Sequence, residues 1–313
     1  ILLRVPPDSL LICKCVCKSW KGLISDPLFV SEFASRNPQP HVSGIFLQKF
    51  LFLEPYPGLE FIVLGGLSSA VPDLSLSFID DPGGVRIRHS CNGLVLCSTF
   101  RCLEPDRKYY IWKPVAKQFE FLPKPMCTTM FGVNIAYDPR VSPHYKIICV
   151  CDSGLPGKGL SVMVFDSASG SWKVMGNFMV DPEDMLFDRG VLLNGSLHWA
   201  GRRKAGLRFN IGRKKMISMP MPPIHEAWSE RRIGYFGKSG GGLYLIEVYG
   251  VQVSFDVMQM EEDYSGWFAK YHVNLVTLAF EFRLSINSRF FSVMQLERRR
   301  AGADDQDKSF LLL

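Results

Sequence analysis

Several chemical features are missing from this 313-residue sequence, and each absence narrows what the protein does. No apolar run approaches the roughly 20 residues that a bilayer-spanning helix needs. The first residues lack the basic, apolar and small-residue order of a secretory signal. We therefore expect no membrane partner and a cytoplasmic or nuclear location, where the nine cysteines stay reduced.

Signatures of catalysis and of cofactor binding are also missing. The glycine run Gly240–Gly242 lacks the lysine and hydroxyl residue of a phosphate-binding loop. The alternating cysteines Cys13, Cys15 and Cys17 lack C-x-x-C spacing and a second ligand pair, which zinc sites usually have. The six histidines are scattered, and His198 is interpreted as a packed or hydrogen-bonded strand residue. We expect no catalytic residue, no cofactor and no metal.

Charge gives little support to nucleic-acid binding. The net charge is +6, and lysines and arginines are spread along the chain rather than clustered. The densest basic run, Arg298–Arg300, adjoins the acidic stretch Asp304–Asp307, and we interpret the two as a solvated loop. We expect no nucleic-acid partner. The hydrophobic content of 47% and aromatic content of 12% are sufficient for a buried core.

An amphipathic helix is predicted near the N-terminus, from Leu10 to Ile24. Apolar or soft residues recur there at steps of three or four and fill one face: Leu10, Cys13, Cys17, Trp20 and Ile24. Asp8 or Ser9 is positioned to cap its first turn, and Asp26-Pro27 ends it because a residue before proline avoids the helical region. A second short helix is predicted from Leu28 to Ala34.

The body of the chain carries a repeated β-hairpin. Three copies match in strand length and each has five turn residues: Tyr109–Trp112 with Gln118–Leu122, Val162–Phe165 with Ser171–Met175, and Leu207–Phe209 with Lys215–Met219. In each copy an aromatic residue ends the first strand and a large apolar residue follows seven positions later. Equal loop lengths predict an equal strand register. A fourth copy is predicted to begin at Val251–Phe255, with a longer acidic loop before Trp267.

A second hairpin type precedes these copies. Asn194-Gly195 lies between two apolar runs and predicts a tight type I′ turn, because both residues tolerate positive φ. Asn92-Gly93 has the same role, and Gly240–Gly242 is a looser counterpart. Two hairpins give four strands, which make one propeller blade. The number of residues between successive aligned aromatics lies in the range of propeller-blade repeats. Residues 45–64 and 279–313 are candidates for further blades, so about five or six are expected, with ring closure left open.

The first residues resemble the C-terminal two-thirds of a plant-type F-box. The matching strings are Ile1-Leu-Leu-Arg-Val-Pro6, Ser9-Leu-Leu11, Cys15-Val-Cys-Lys-Ser-Trp20 and Leu23-Ile-Ser-Asp-Pro27 with Phe29. In that family a three-helix unit docks on a Skp-type adaptor, which joins it to a cullin scaffold. By position, the resemblance implies an adaptor surface and the packing beneath it at Leu2, Leu3, Val5, Pro6, Leu10, Leu11, Val16, Cys17 and Trp20. Val16 and Trp20 are equally candidates for core residues.

The body resembles the kelch-like F-box-associated domain of plants. The matching strings occur in the family's order between Arg88 and His272: Cys91-Asn-Gly-Leu, Tyr110-Ile-Trp-Lys-Pro with Phe121-Leu-Pro, Ala136-Tyr-Asp-Pro139, Gly170-Ser-Trp172 and Asn194-Gly-Ser-Leu-His-Trp199. The expected fold is mainly β, with a small helical partial F-box followed by a kelch-like β-propeller. The expected domains are a partial F-box at 1–36, a linker at 37–44 and the propeller-like domain at 45–313.

The two resemblances together imply a non-catalytic substrate-recognition subunit of a Skp–cullin–F-box ubiquitin ligase. Its target protein is unknown, because propeller loops such as Asp152–Lys158, Arg202–Ala205 and Pro222–Arg232 carry no readable code. One alternative is a degenerate or truncated propeller module without ligase function, since the family's opening leucine-proline and acidic helix are missing. A sugar-binding or metal-dependent propeller enzyme is a further alternative.

Overall fold

The computed structural model describes residues 2–5, 7–36, 44–49, 58–63, 81, 84–103, 106–114, 118–249 and 254–274. The chain divides into two compact units. The first comprises residues 1–126, 133–149 and 163–174, and the second comprises residues 127–132, 150–162 and 175–313. Among the helices in the described ranges, none has the length and apolar character needed to span a membrane.

The N-terminal segment is helical. A 3-10 turn at Leu2–Arg4 precedes three α-helices: α1 Pro7–Lys14, α2 Lys18–Ser25 and α3 Pro27–Arg36. The prediction of one helix from Leu10 to Ile24 is wrong, because the chain turns after Lys14 and Cys17 adopts an extended backbone. The predicted capping by Asp8 or Ser9 is also wrong, since α1 begins at Pro7 and both residues lie inside it.

The boundary between α2 and α3 is where the sequence predicts it. Asp26 has extended backbone angles after α2, and its carboxylate accepts hydrogen bonds from the Leu28 N–H at 2.8 Å and the Phe29 N–H at 3.4 Å. Proline suits the first position of α3 because the N–H it lacks would have no helical partner there. The second predicted helix is therefore confirmed, and it is longer than predicted at both ends. The Phe29 and Phe33 rings stack along it, with centroids 6.1 Å apart.

Strands make up most of the described body. Their bounds are β1 Gly44–Lys49, β2 Gly58–Val63, β3 Val85–Cys91, β4 Leu94–Thr99, β5 Tyr109–Lys113, β6 Gln118–Leu122, β7 Met130–Ala136, β8 Lys146–Asp152, β9 Leu160–Asp166, β10 Ser171–Phe178, β11 Val191–Leu193, β12 Ser196–Trp199, β13 Gly206–Asn210, β14 Lys215–Met219, β15 Ile233–Ser239, β16 Gly242–Glu247, β17 Ser254–Met260 and β18 Trp267–Asn274. The pair β1–β2 is antiparallel, and the other sheets are four-stranded, with neighbouring strands in chain order: β3–β6, β7–β10, β11–β14 and β15–β18.

Each four-stranded sheet is an antiparallel meander, the arrangement of a propeller blade. The predicted fold class is confirmed: a small helical segment precedes a kelch-like, propeller-type body. Four complete blades and the pair β1–β2 lie within the described ranges. The candidate blade at residues 279–313 lies outside them, as does the predicted linker up to residue 43.

Two of the three repeated hairpins are paired in the predicted common register. Trp112 pairs with Phe119 and Phe209 pairs with Met216. The loops have one residue fewer than predicted, because pairing continues one position past the aromatic residue. The fourth copy is wrong in register: Phe255 pairs with Val273, near the far end of the hairpin, because β17 extends to Met260 before the chain turns.

Tight turns join the first and second strands of three blades. Asn92-Gly93 has φ values of 46° and 84°, and Asn194-Gly195 has 47° and 67°. Gly240-Gly241 has 51° and 80°, and the flanking residues pair directly across it. The predicted type I′ turns are thus confirmed, and the glycine pair is their equivalent rather than a looser form.

The central strands carry the core. Every residue of β4 and of β12 is buried, whereas β6 and β10 are largely exposed or half-buried. Trp112 and Trp199 are buried. Trp172 is only half-buried, and its indole N–H donates to the Pro123 carbonyl at 2.6 Å.

Candidate interaction surfaces

The residues predicted to face an adaptor fall into two groups. Leu10 is buried, and Leu2, Leu3 and Val5 are half-buried in and after the 3-10 turn. The exposed members are Val16, with 63% of its surface accessible, Trp20, with 39%, and Cys17. Pro6 and the side chain of Leu11 lie outside the described part of the chain. The predicted set thus contains both exposed and buried residues.

Three further apolar side chains on these helices are exposed, and the sequence interpretation missed them. They are Ile12 (71% accessible), Leu23 (51%) and Leu28 (81%). Together with Val16 and Trp20 they form what we call the exposed apolar set. Single exposed apolar residues are ordinary, whereas here five lie within one short helical segment. The signal was present as steps of four, four and three from Ile12 to Leu23, a series of which only Trp20 belonged to the apolar face of the predicted single helix.

Cys17 has a local structural role. It lies immediately before α2, and its Sγ accepts a hydrogen bond from the Trp20 N–H at 3.4 Å. A helix start leaves such N–H groups without partners, and a capping side chain satisfies one of them. Cys17 therefore caps the first turn of α2, the helix that carries Trp20.

His198 is embedded in the blade core rather than in a reactive site. Its Nδ1 donates to the Val191 carbonyl at 3.1 Å, and its Nε2 accepts from the Tyr264 hydroxyl at 2.8 Å. The two rings stack with centroids 5.4 Å apart, and the Arg208 guanidinium lies 3.9 Å from the centre of the Tyr264 ring. Burial, together with the charge of Arg208, lowers the pKa of His198 to about 4. The prediction of a packed, hydrogen-bonded histidine is confirmed.

Arg231 joins two loops of the body. We call residues 201–205 the basic loop and residues 220–232 the aromatic loop. The buried guanidinium donates through Nη1 to the carbonyl of Lys204 at 3.2 Å and of Gly201 at 3.4 Å, and through Nη2 to that of Pro222. Its Nε lies 3.1 Å from Oε1 of Glu247, so both loops are tied to the end of β16.

The aromatic loop carries a cluster of rings. The Trp228 and His225 rings lie against the buried Tyr249, with centroids 5.7 Å and 5.5 Å from it. The Arg232 guanidinium lies 5.1 Å from the centre of the Trp228 ring, within cation–π range. Tyr249 donates its hydroxyl to Glu247 at 2.6 Å. The ring cluster of Trp228, His225 and Tyr249 is therefore anchored through Tyr249. Trp228 stays half-exposed, and His225 and Arg232 stay exposed.

The basic loop is fixed through its backbone. The buried Asp184 carboxylate accepts from the Arg203 N–H at 2.6 Å and from the Lys204 N–H at 3.3 Å. The Arg203 and Lys204 side chains stay exposed and Arg202 is half-buried. Arg203 also lies 3.8 Å from Asp181, but both side chains are about half exposed, and water screens such a pair. The loop therefore presents three consecutive cations on a rigid backbone.

The third loop singled out from the sequence, residues 152–158, is organised locally. The Gly154 N–H donates to the Asp152 carboxylate at 2.9 Å, and the Ser153 N–H donates to the Gly159 carbonyl at 3.1 Å. Its side chains are mostly exposed. Sequence reasoning named all three loops, but it missed Asp184, Arg231 and Glu247 because their partners are distant in the chain.

Comparison with known families agrees with this architecture. A model of the F-box domain matches residues 1–32, and a model of the F-box associated beta propeller domain matches residues 69–227. The second match covers just over half of the chain, which therefore belongs to the F-box associated beta propeller family. Both predicted resemblances are confirmed. The exact domain boundaries at 36, 44 and 45 stay predictions.

Curated relatives come from Arabidopsis thaliana. The F-box protein At5g07610 is 29% identical over 93% of this chain and 73% of its own length. The putative F-box protein At3g17490 is 27% identical over 64% of this chain and 51% of its own length. The putative F-box/kelch-repeat protein At3g17570 is 26% identical over 69% and 55%, respectively. The chain thus spans between about half and three quarters of the relatives' lengths.

Proposed function

We propose that this protein is the non-catalytic substrate-recognition subunit of a Skp–cullin–F-box ubiquitin ligase. Its N-terminal helices bind a Skp-type adaptor, which joins it to a cullin scaffold, and its propeller body holds a target protein. We propose a cytoplasmic or nuclear location, with neither a membrane nor a nucleic acid as partner. The observation that carries the proposal is the exposed apolar set on an F-box segment.

The adaptor interface follows from what is exposed on the helices. Val16 and Trp20 provide apolar surface, and Cys17 fixes the start of the helix that presents Trp20. Burying such surface in a complex is favourable by about 25 cal/mol per Å², and tryptophan is enriched among residues that dominate interfaces. Leu10 is buried and therefore serves the packing of the helices rather than the contact itself.

The target-binding role rests on the body. Irregular loops on a rigid sheet scaffold are where binding residues concentrate, and here two such loops are tied together by Arg231. His198, the strongest candidate for chemistry from its residue type, is held neutral and packed, which supports a structural role. In this proposal the chain brings a target to the ligase and performs no covalent step itself.

A binding experiment tests the adaptor step. The full chain is co-precipitated with a purified Skp-type adaptor, alongside Val16→Asp and the matched variant Val141→Asp, whose exposed valine lies in the body. We expect the unchanged chain and Val141→Asp to bind equally, and Val16→Asp to lose binding. A full chain that does not bind the adaptor would refute the ligase role and leave a propeller binding module. Equal binding by all three would refute the proposed surface.

A further inference from the structure

We propose that the basic loop and the aromatic loop form one docking surface for an acidic segment of the target protein. The inference deepens the proposed function and rests on it, since there the body holds the target. Three observations carry it: the buried cation that joins the loops, the exposed charge on one loop, and the aromatic platform on the other.

The joining cation makes the surface rigid before any partner arrives. Burying a guanidinium is costly unless its donors are satisfied. Arg231 offsets this cost with Nη1 and Nη2 hydrogen bonds to carbonyl groups of both loops and with the Glu247 carboxylate, which lies 3.1 Å from its Nε as an ion pair. Irregular loops lose conformational freedom when they bind, and loops that are already ordered lose less. Because the bonds of Arg231 already order both loops, binding to these loops loses less conformational freedom.

The basic loop supplies exposed positive charge, since the ion pair of Arg203 with Asp181 at 3.8 Å is about half exposed and is screened by water. Its backbone N–H groups bind Asp184, so the buried carboxylate orders the loop without pairing with the exposed Arg203 and Lys204 side chains. The loop itself contains no acid. Complementary charge across an interface steers association and selects partners. A segment with aspartate or glutamate side chains matches this loop.

The aromatic loop supplies the apolar part of the surface. Trp228 is half-exposed, rests on Tyr249 and carries Arg232 over its ring. Tryptophan, tyrosine and arginine are the residue types most enriched at interface hot spots. Glu226 and Glu230 lie on this loop and disfavour acidic groups there. The surface therefore has two different ends. Acidic residues of the target bind the basic loop, and an apolar residue of the target packs against Trp228.

A second run of three cations in the same sheet provides a matched control. Arg213, Lys214 and Lys215 are exposed at the turn between β13 and β14. Their turn is ordered by the Asn210 side chain, which accepts from the Arg213 N–H at 2.7 Å. Replacing either run by three glutamates changes the net charge equally. A difference between the two variants therefore reports position and not charge.

The test uses a phage-displayed library of random linear peptides, panned against the full chain, with selected peptides measured by fluorescence anisotropy. We expect selected peptides to combine aspartate or glutamate with an aromatic or aliphatic residue. Binding should weaken at least about tenfold, or about 1.4 kcal/mol, in R202E/R203E/K204E and in Trp228→Ala. It should change less than about twofold in R213E/K214E/K215E, and circular dichroism melts should show all variants folded.

Several outcomes would overturn the inference. The first is selection of neutral or basic peptides, and the second is an equal loss of peptide binding in both triple variants. The others are unchanged peptide binding by Trp228→Ala, and peptides that bind only after serine phosphorylation, since the inference specifies carboxylates.

Adaptor co-precipitation with the same variants separates this inference from the proposed function. We expect R202E/R203E/K204E to keep adaptor binding. Loss of adaptor binding by the unchanged chain would refute the ligase role, whereas peptide binding tests the docking surface alone.

Discussion

Arg231 and Glu247 form an ion pair in the body, with Nε and Oε1 3.1 Å apart and both side chains largely buried. Burial raises the pKa of Glu247, against the hydrogen bond from Tyr249 and the charge of Arg231, which lower it. The pair thus offsets part of the cost of burying the carboxylate. It also places the cation that joins the basic and aromatic loops.

Removing one partner of this pair should lower the free energy of unfolding more than removing both. Arg231→Met leaves the Glu247 carboxylate uncompensated and three carbonyls without a donor, so we expect a loss of about 3–5 kcal/mol in the free energy of unfolding. Glu247→Gln in the same chain should restore part of that loss, because it removes the unpaired charge. Urea unfolding of both single variants and the double variant measures the coupling. Additive effects would show that the two residues do not interact.

His198 predicts a specific pH dependence. Its pKa is about 4 in the folded protein against an ordinary value of 6.5, so the folded state disfavours the protonated ring. The stability that the neutral ring contributes is present above pH 6.5 and is lost as the pH falls towards 4, by up to about 3 kcal/mol. In His198→Gln we expect a smaller fall of the unfolding free energy across that interval. Equal slopes in the two proteins would contradict the lowered pKa.

The Cys17 thiol predicts an unusual order of stability among substitutions. Cys17→Ser keeps a capping acceptor for the Trp20 N–H, whereas Cys17→Ala removes it and should destabilise the helical segment by about 1 kcal/mol. We expect serine to equal or exceed cysteine and alanine to be the weakest, measured by thermal unfolding followed at 222 nm. Equal stability of the serine and alanine variants would exclude the cap.

Replacing either of two glycines by alanine should change the stability in opposite directions. At Gly132 an added Cβ would lie 2.0 Å from the Phe187 carbonyl oxygen, so Gly132→Ala should destabilise the body by more than about 2 kcal/mol. At Gly22, within α2, nothing lies within 4 Å of an added Cβ, and Gly22→Ala should stabilise the helix by about 0.5–1 kcal/mol. Thermal unfolding of the two variants checks the pair. A neutral Gly132→Ala would contradict the close approach.

The parts of the fold that the sequence predicts are those with a local cause. Asn194-Gly195 specifies its turn because two adjacent residues accept positive φ, and the Trp112–Phe119 register follows from loop length. The break between α1 and α2 was missed because the apolar spacing continues across it, while a thiol cap is not a common start signal.

The candidate surfaces were predictable only in part for the same reason. The cations of the basic loop are visible in the sequence, but Asp184, which orders that loop, lies about 20 positions away. Arg231 gives no local signal for its bonds to Gly201 and Pro222. Leu10 and Val16 both belong to the predicted adaptor set, yet one is buried and the other exposed, because tertiary packing decides which apolar side chains are covered.

The most direct test of the central claim is calorimetric titration of a purified Skp-type adaptor into the full chain. The proposed adaptor role predicts saturable binding with a negative heat-capacity change, the mark of apolar surface being buried. Binding should be lost in Val16→Asp and retained in Val141→Asp. Absence of binding by the unchanged full chain would contradict the proposed function.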